Sequence, residues 1–355
     1  MLIIRAIRKI QIETRASMWK KAVELWKPIA SARLNCSNSI LAYNPQMGTN
    51  NLGDEIISYY CEYWLRKIFE GSRIDFVPTQ QRPNKSYFRE VDNSCRKFVL
   101  GTNLLNRDLS RQGQWLFYKD ISKYSNLILM GCGWNSYLFG GVDPHTVTFY
   151  SKALSETFLH SVRDEYTKSK LQAIGINNVI NTSCPTMWKL TEDFCQSIPT
   201  VKANSVMTTI TDYAPNREID AFMLNTLLKT YKHVYLWLQG ENDLEYFNSL
   251  DVKKEEIILI PSRLSSFDAV LGALDLDYIG TRLHAGIHAL NCKKRTMIIG
   301  VDNRAIEISK DTGLPVLRRE LLVENIENAI IRNRPTQISL PMEAINTWRN
   351  QFDAS

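Results

Sequence analysis

No stretch of this 355-residue chain approaches the roughly 18 uninterrupted apolar residues that a membrane-spanning helix needs, so none is expected. The opening MLIIRAIRKIQIETR carries charges every few residues and no cleavable apolar run; no secretory signal is expected. There is no CxxC, and the seven cysteines (36, 61, 95, 132, 184, 195 and 292) are odd in number and scattered. That usage fits free thiols in a reducing cytoplasm better than a disulfide framework or a zinc site. Neither nucleotide fingerprint occurs: GxGxxG is absent, and so is GxxxxGKS/T. No nucleic-acid-binding module is visible, and no nucleic-acid partner is expected.

What is present is ordinary in amount and uneven in placement. The 44% hydrophobic and 23% charged content lies near globular averages and excludes disorder or a fibrous rod. The length suggests about two domains. The net charge of +6 sits wholly in residues 1–35, where eight basic groups (Arg5, Arg8, Lys9, Arg15, Lys20, Lys21, Lys27, Arg33) face Glu13 and Glu24. Leu2, Ile3, Ile7, Ile10, Met18, Trp19, Val23 and Trp26 recur there at helical spacing. Such a basic amphipathic helix can lie on an anionic membrane surface, or pack on the protein body with a solvated basic face.

From about residue 38 the chain alternates short apolar runs with helical patterns. Strands are expected at Asn38–Asn44, Arg73–Val77, Lys97–Leu100, Asn126–Met130, Ser161–Arg163 and Val179–Thr182. Helices are expected over Asp54–Phe69 and from Asp164 to about Ile174. A second round has strands at Ser205–Thr211, His233–Gln239, Ile257–Pro261, Asp277–Gly280 and Arg295–Gly300. Its helices fall at 216–231, 242–249, 265–275, 283–290 and 304–312. This alternation indicates βαβ units and parallel sheets: an α/β protein of two Rossmann-like domains facing across a cleft, joined near 186–204. The boundaries read as 1–35, 36–190, 200–335 and a last helix in 338–355 that crosses back over the first domain. In such sheets ligands bind beyond the carboxyl ends of the strands, so the residues following each strand are the ones to weigh.

Three strand-end motifs carry chemistry. Asn50-Asn51-Leu52-Gly53-Asp54-Glu55 opens a helix: Gly53 suits a tight turn, Asp54 is a natural cap, and helix-start amides can receive an anion or a sugar oxygen. Ser161-Val162-Arg163-Asp164-Glu165 places an Arg beside a helix start, either as a fork for a carboxylate or phosphate or as the partner of Asp164 or Glu165. Asp277-Tyr278-Ile279-Gly280-Thr281-Arg282-Leu283-His284-Ala285-Gly286-Ile287-His288 places a permanent cation and a proton-transfer group where an anion would sit. His284 and His288 share a helix face, but HAGIH lacks the Glu of HExxH and no third ligand is evident. No metal is expected, and His288 reads as a packed histidine.

These motifs, in this order, resemble the polysaccharide pyruvyl transferase family. The carriers are NLGDE at 51–55, GCGW at 131–134, VRDEYTKSKLQAIG at 162–175, CP at 184–185, DYIGTRLHAGIHAL at 277–290 and TMIIGVDNRAIEISKDTGLP at 296–315. The likeness covers about residues 38–320. The family often has Lys where this chain has Arg304.

The resemblance implies a GT-B-like fold, with the acceptor on the first domain and phosphoenolpyruvate on the second. It implies transfer of pyruvate from phosphoenolpyruvate onto two hydroxyls of one sugar, forming a ketal and releasing phosphate, with no cofactor. The donor site it implies is Arg163, Arg282, Leu283 and His284, with Arg304 beside them. His284 is then the expected acid and Asp54 the candidate base or acceptor ligand, with Asn51, Glu55 and Trp134 on the acceptor side. Tyr43, Tyr137 and Phe139 are aromatics that could stack on a sugar. The implied acceptor is a saccharide of a bacterial-type capsule or exopolysaccharide, or its lipid-linked precursor at the inner membrane face. A nucleotide-sugar glycosyltransferase and a non-catalytic glycan-binding protein are the alternatives.

Overall fold

Short runs of apolar and β-branched residues bounded by loops build two parallel sheets, while the longer 3.6-period segments between them form the covering helices. A computed structural model describes residues 2–25, 37–81, 94–111, 115, 124–135, 137 and 140–353. Phe139 and Cys36 lie outside the described residues, as do Trp26, Lys27 and Arg33 of the basic segment. The chain divides into two units. One comprises residues 1–48, 61–185 and 342–355; the other comprises 49–60 and 186–341.

In the first unit, β1 (Ser37–Asn44), β2 (Arg73–Pro78), β3 (Ser94–Leu100) and β4 (Leu127–Met130) form one parallel sheet in the order β2-β1-β3-β4. Two more parallel strands, β5 (His160–Val162) and β6 (Val179–Asn181), continue from β4 through a bridge between Cys132 and Val162. Every residue of β4 is buried, as a strand covered on both faces requires.

The N-terminal residues form α1 (Leu2–Leu25). Its Ala16, Trp19 and Val23 are buried, with Trp19 set 6.1 Å from Phe149. Lys20 pairs with Asp143 at 3.1 Å and Glu24 meets His145 at 2.9 Å. This stretch therefore packs on the body of its unit, and Arg15 and Lys21 stay exposed.

The helix α2 (Leu52–Ile68) starts two residues earlier than the sequence suggests. Next comes α3 (Pro144–Ala153), which periodicity did not disclose because Pro and His open it and its apolar residues are few. After it comes α4 (Glu165–Gln172), capped by Asp164, whose side chain accepts from the Thr167 amide.

In the second unit a short α5 (Glu192–Gln196) leads into β7 (Ser205–Thr208), α6 (Arg217–Thr230), β8 (His233–Trp237), α7 (Asp243–Asn248), β9 (Ile257–Ile260), α8 (Leu264–Ala273), β10 (Leu276–Gly280), α9 (Leu283–Asn291), β11 (Thr296–Gly300), α10 (Asn303–Thr312) and β12 (Val316–Arg318). All six strands are parallel, in the order β12-β11-β10-β7-β8-β9. Direction of winding reverses between β7 and β10, which makes their carboxyl ends the topological switch point.

Two helices close the chain: α11 (Leu322–Ile331), whose Leu322, Ile326 and Ile330 are buried, and α12 (Met342–Asn350). The latter belongs to the first unit, where the Trp348 indole donates to the Leu159 carbonyl at 2.8 Å. Among the described residues no helix is long and apolar enough to cross a membrane, and Cys61, Cys132, Cys184, Cys195 and Cys292 are free thiols.

Candidate active site

At the switch point of the second unit, β10 ends and α9 begins with Arg282 in the capping position. Its side chain offers no cap to the helix. It runs instead beneath the end of β7: Nε donates to the Ile210 carbonyl at 2.9 Å, and Nη2 donates to Asp212 at 2.9 Å and to Asp243. Arg282 is 3% exposed and Asp243 fully buried, so this ion pair is dry. Asp243 also accepts the amides of Asp212, Gln239 and Gly240, which satisfies a charge that burial would otherwise make costly. Burial acts to raise the Asp212 carboxyl, but Arg282 beside it and the Asn242 amide hold it below the usual carboxylate range. Gly240 leaves the space: a Cβ there would lie 2.4 Å from the Arg282 Nη2.

Tyr213 follows Asp212 and lies half-exposed over the same spot. The Arg282 guanidinium carbon is 5.0 Å from its ring centroid, and that of Arg304 is 5.4 Å away. Arg304 is the second residue of α10. Its Nε donates to Asp302 at 2.9 Å, and its Nη2 donates to Asp302 and to the Tyr213 hydroxyl. Burial works against its charge, but Tyr213, Asp302 and Asp54 raise its pKa and keep it protonated. Among the described residues, Nη1 of each arginine makes no hydrogen bond.

The NLGDE motif belongs to this second unit, whereas the sequence suggested the first. Asn51, not Asp54, serves the helix start: its side-chain oxygen accepts the Gly53 amide at 3.0 Å and the Gln239 side-chain amide at 2.9 Å. Asp54 lies inside the first turn, buried, and accepts from the Thr49 hydroxyl at 2.7 Å. Gly53 answers a close approach, not a turn requirement; a Cβ there would sit 2.7 Å from the Gln239 Nε2. Glu55 is half-buried, and burial together with the Asp268 carboxylate raises its pKa.

Leu283 and His284 occupy the first turn of α9 and are buried, at 6% exposure each. His288, one turn on, is engaged at both ring nitrogens, by the Tyr60 hydroxyl at 2.9 Å and by Asp268 at 2.6 Å. Burial opposes its charge, but the Asp268 hydrogen bond and Cys292 carry its pKa up to about 9. Among the described residues no three His, Cys, Asp or Glu side chains group as a metal set.

Arg163 and Trp134 belong to the first unit, beyond β5 and β4. Arg163 is 1% exposed; its Nε donates to Asp164 at 3.1 Å and its Nη2 to Asn103. A Cβ at Gly133, the third residue of GCGW, would lie 2.1 Å from the Arg163 guanidinium carbon. Trp134 is buried, with its amide donating to Thr167 Oγ1 at 2.9 Å. Tyr43 is buried in the core, and Tyr137 is exposed and meets Tyr166 edge-on at 5.1 Å.

Asp212, Tyr213, Gln239, Asp243 and Asp302 were not singled out in the sequence. The strand-end rule was the available signal, since Asp212 and Tyr213 lie just past β7 and Asp302 just past β11. Reading β7 through Thr211 hid the first two. The strand stops at Thr208 because Thr209 turns its carbonyl and hydroxyl to the Thr281 and Arg282 amides instead.

The family model for polysaccharide pyruvyl transferase matches residues 51–303, well over half of the chain. No curated protein matches the sequence. Among solved structures, the UDP-GlcNAc 2-epimerase of Methanocaldococcus jannaschii in complex with UDP-GlcNAc and UDP aligns with a TM-score of 0.50 at 11% identity, over 89% of this chain and 97% of that one. That of Neisseria meningitidis bound to UDP-GlcNAc aligns with a TM-score of 0.49 at 12% identity, over 89% and 98%. The first likeness concerns fold alone and agrees with a GT-B-like α/β protein of two Rossmann-like units. With the family's motifs spread through both units and its model spanning 51–303, the chain belongs to the polysaccharide pyruvyl transferase family.

Proposed function

We propose that this transferase takes pyruvate from phosphoenolpyruvate and places it as a ketal on two hydroxyls of one sugar, in a capsule, an exopolysaccharide or a lipid-linked precursor. The observation that carries the donor assignment is Arg282. It is a buried guanidinium fixed by two carboxylates and a carbonyl at the switch point, in the capping position of a helix, and its Nη1 makes no hydrogen bond among the described residues. A carboxylate or phosphate suits that position, because helix-start amides and an arginine edge both favour negative charge.

The residues divide the work as the chemistry asks. Arg282 and Arg304 orient the donor's anionic groups, with Leu283 lending backbone and shape. His284 delivers a proton to the terminal enol carbon, which becomes the methyl group while the adjacent carbon gains cationic character. A sugar hydroxyl attacks that carbon, the carbon–oxygen bond to phosphate breaks, and the second hydroxyl closes the ketal. Of the two hydroxyl protons, one replaces the proton His284 gave and the other leaves with phosphate. Asp54 takes the hydroxyl protons on attack and passes them on to His284 and phosphate, and Asn51 and Glu55 lie on the acceptor's path. His284→Ala should bind phosphoenolpyruvate but lose turnover by about a hundredfold or more, and Asp54→Asn should lose it without losing donor affinity.

The deciding test is a thermal-shift titration with phosphoenolpyruvate, pyruvate and uridine diphosphate, since a ligand that binds only the native state stabilises it. Stabilisation by phosphoenolpyruvate, lost in Arg282→Ala, supports the donor assignment. Stabilisation by uridine diphosphate alone would move the chain to a nucleotide-sugar donor. A peripheral site at the inner membrane face is proposed from the exposed Lys9, Arg15 and Lys21 of α1. Deleting residues 1–30 should abolish sedimentation with anionic vesicles, and unchanged binding would end that part of the proposal.

A further inference from the structure

Two arginines of different helices share one aromatic ring. Their guanidinium carbons lie 5.0 and 5.4 Å from the Tyr213 centroid, which limits their separation to about 10 Å within the range of cation–π attraction. Each is held the same way. Nε and Nη2 are bound to protein oxygens, by Ile210, Asp212 and Asp243 for Arg282 and by Asp302 and Tyr213 for Arg304. Nη1 of each makes no hydrogen bond among the described residues. The ring attracts both cations, and the hydroxyl of the same residue accepts from Arg304 and donates to Asp302 at 3.3 Å. Tyr213 is itself 51% exposed, so core packing does not account for its place.

We infer that Tyr213 is a positioning residue that fixes Arg282 and Arg304 as one two-point bracket, so that their Nη1 ends are spaced for a ligand carrying two anionic groups on one short frame. The inference rests on the phosphoenolpyruvate reading above, whose donor carries a carboxylate and a phosphate. Asp212 and Asp243 on Arg282 and Asp302 on Arg304, three carboxylates against two cations, hold both guanidiniums in place. Among the described residues the Tyr213 ring is the group that lies against both guanidiniums. Removing the ring should therefore cost chelation, the advantage of binding both groups at once, more than it costs either group alone.

The test compares Tyr213→Leu and Tyr213→Phe with the wild type in calorimetric titrations of phosphoenolpyruvate, inorganic phosphate and pyruvate. Tyr213→Leu should bind phosphoenolpyruvate about tenfold more weakly. Inorganic phosphate should change by less, and the melting temperature should hold. Tyr213→Phe, which keeps the ring, should retain most of the affinity. Equal phosphoenolpyruvate affinity in wild type and Tyr213→Leu would overturn the inference and leave the donor reading standing. Should the wild type bind no phosphoenolpyruvate, the donor reading falls, and nitrogen-15 relaxation of the Arg282 and Arg304 Nε–H groups in the free protein still decides the role of Tyr213. Both groups should be rigid in the wild type and loosened in Tyr213→Leu; unchanged relaxation overturns the bracket.

Discussion

Arg282 and Asp243 form a buried ion pair at the switch point of the second sheet, with the carboxylate also accepting three backbone amides. One residue from the end of β10 and one from the start of α7 thus hold each other, and the arginine is aimed without any help from solvent. Breaking one side leaves a buried charge uncompensated. Asp243→Asn should lower stability by about 3 kcal/mol and abolish donor binding. Denaturant unfolding and the phosphoenolpyruvate titration check both, and Arg282→Lys should fail similarly because one ammonium nitrogen cannot take the separate places of Nε on Ile210 and Nη2 on the two carboxylates.

Gly240→Ala tests aim separately from charge. The new methyl carbon meets Arg282 Nη2 at 2.4 Å, while Asp212 and Asp243 lie at 3.1 and 3.2 Å. All the charges survive, but the guanidinium must move. Transferase activity should fall by about a hundredfold with the cooperative unfolding transition intact; near-wild-type kcat/KM would show that the position of Arg282 is not critical.

Gly133→Ala makes the same test in the first unit, where the methyl would lie 2.1 Å from the Arg163 guanidinium carbon. The variant should lose activity to the extent that Arg163→Ala does. A double variant should be no worse than either single one, because both act through one side chain. Additive losses would separate the roles of the two residues.

Stability should peak near pH 6.5, for two opposite reasons. His288 titrates at about 9 when folded against an ordinary 6.5, so its contribution is complete below 6.5 and is lost as pH rises through about 9. His160 is pushed down to about 4 by burial, so the unfolded chain takes up its proton first and stability falls as pH drops from 6.5 towards 4. Asp268→Asn should flatten the alkaline limb alone, by about 1–2 kcal/mol once the half-exposure of Asp268 is allowed for. Urea midpoints measured from pH 5 to 9.5 check both limbs.

Trp19→Ala should destabilise the first unit by about 3 kcal/mol, since the indole is 3% exposed and lies against Phe149. An unchanged melting temperature would mean that α1 contributes nothing to the body in solution.

Much of this protein was legible before folding because its information is local. Alternating apolar runs and helical stretches specify parallel α/β units. An arginine and histidine directly after the Asp277–Gly280 run mark a strand end facing a helix start, and Asp164 announces its own helix. The motifs of the polysaccharide pyruvyl transferase family survive as short contiguous strings for the same reason. The tertiary structure decided everything that depends on distant segments meeting. It brought Asn51 to Gln239 and so moved the NLGDE turn into the second unit, taking from Asp54 the capping role its position suggested. It set Asp212 and Asp243 on Arg282, and it stacked Arg282 and Arg304 on a tyrosine far from both in the chain. Periodicity reports which face of an element is apolar. It carries no record of which strand end will lie beside which, and the chemistry of this site is made of those neighbours.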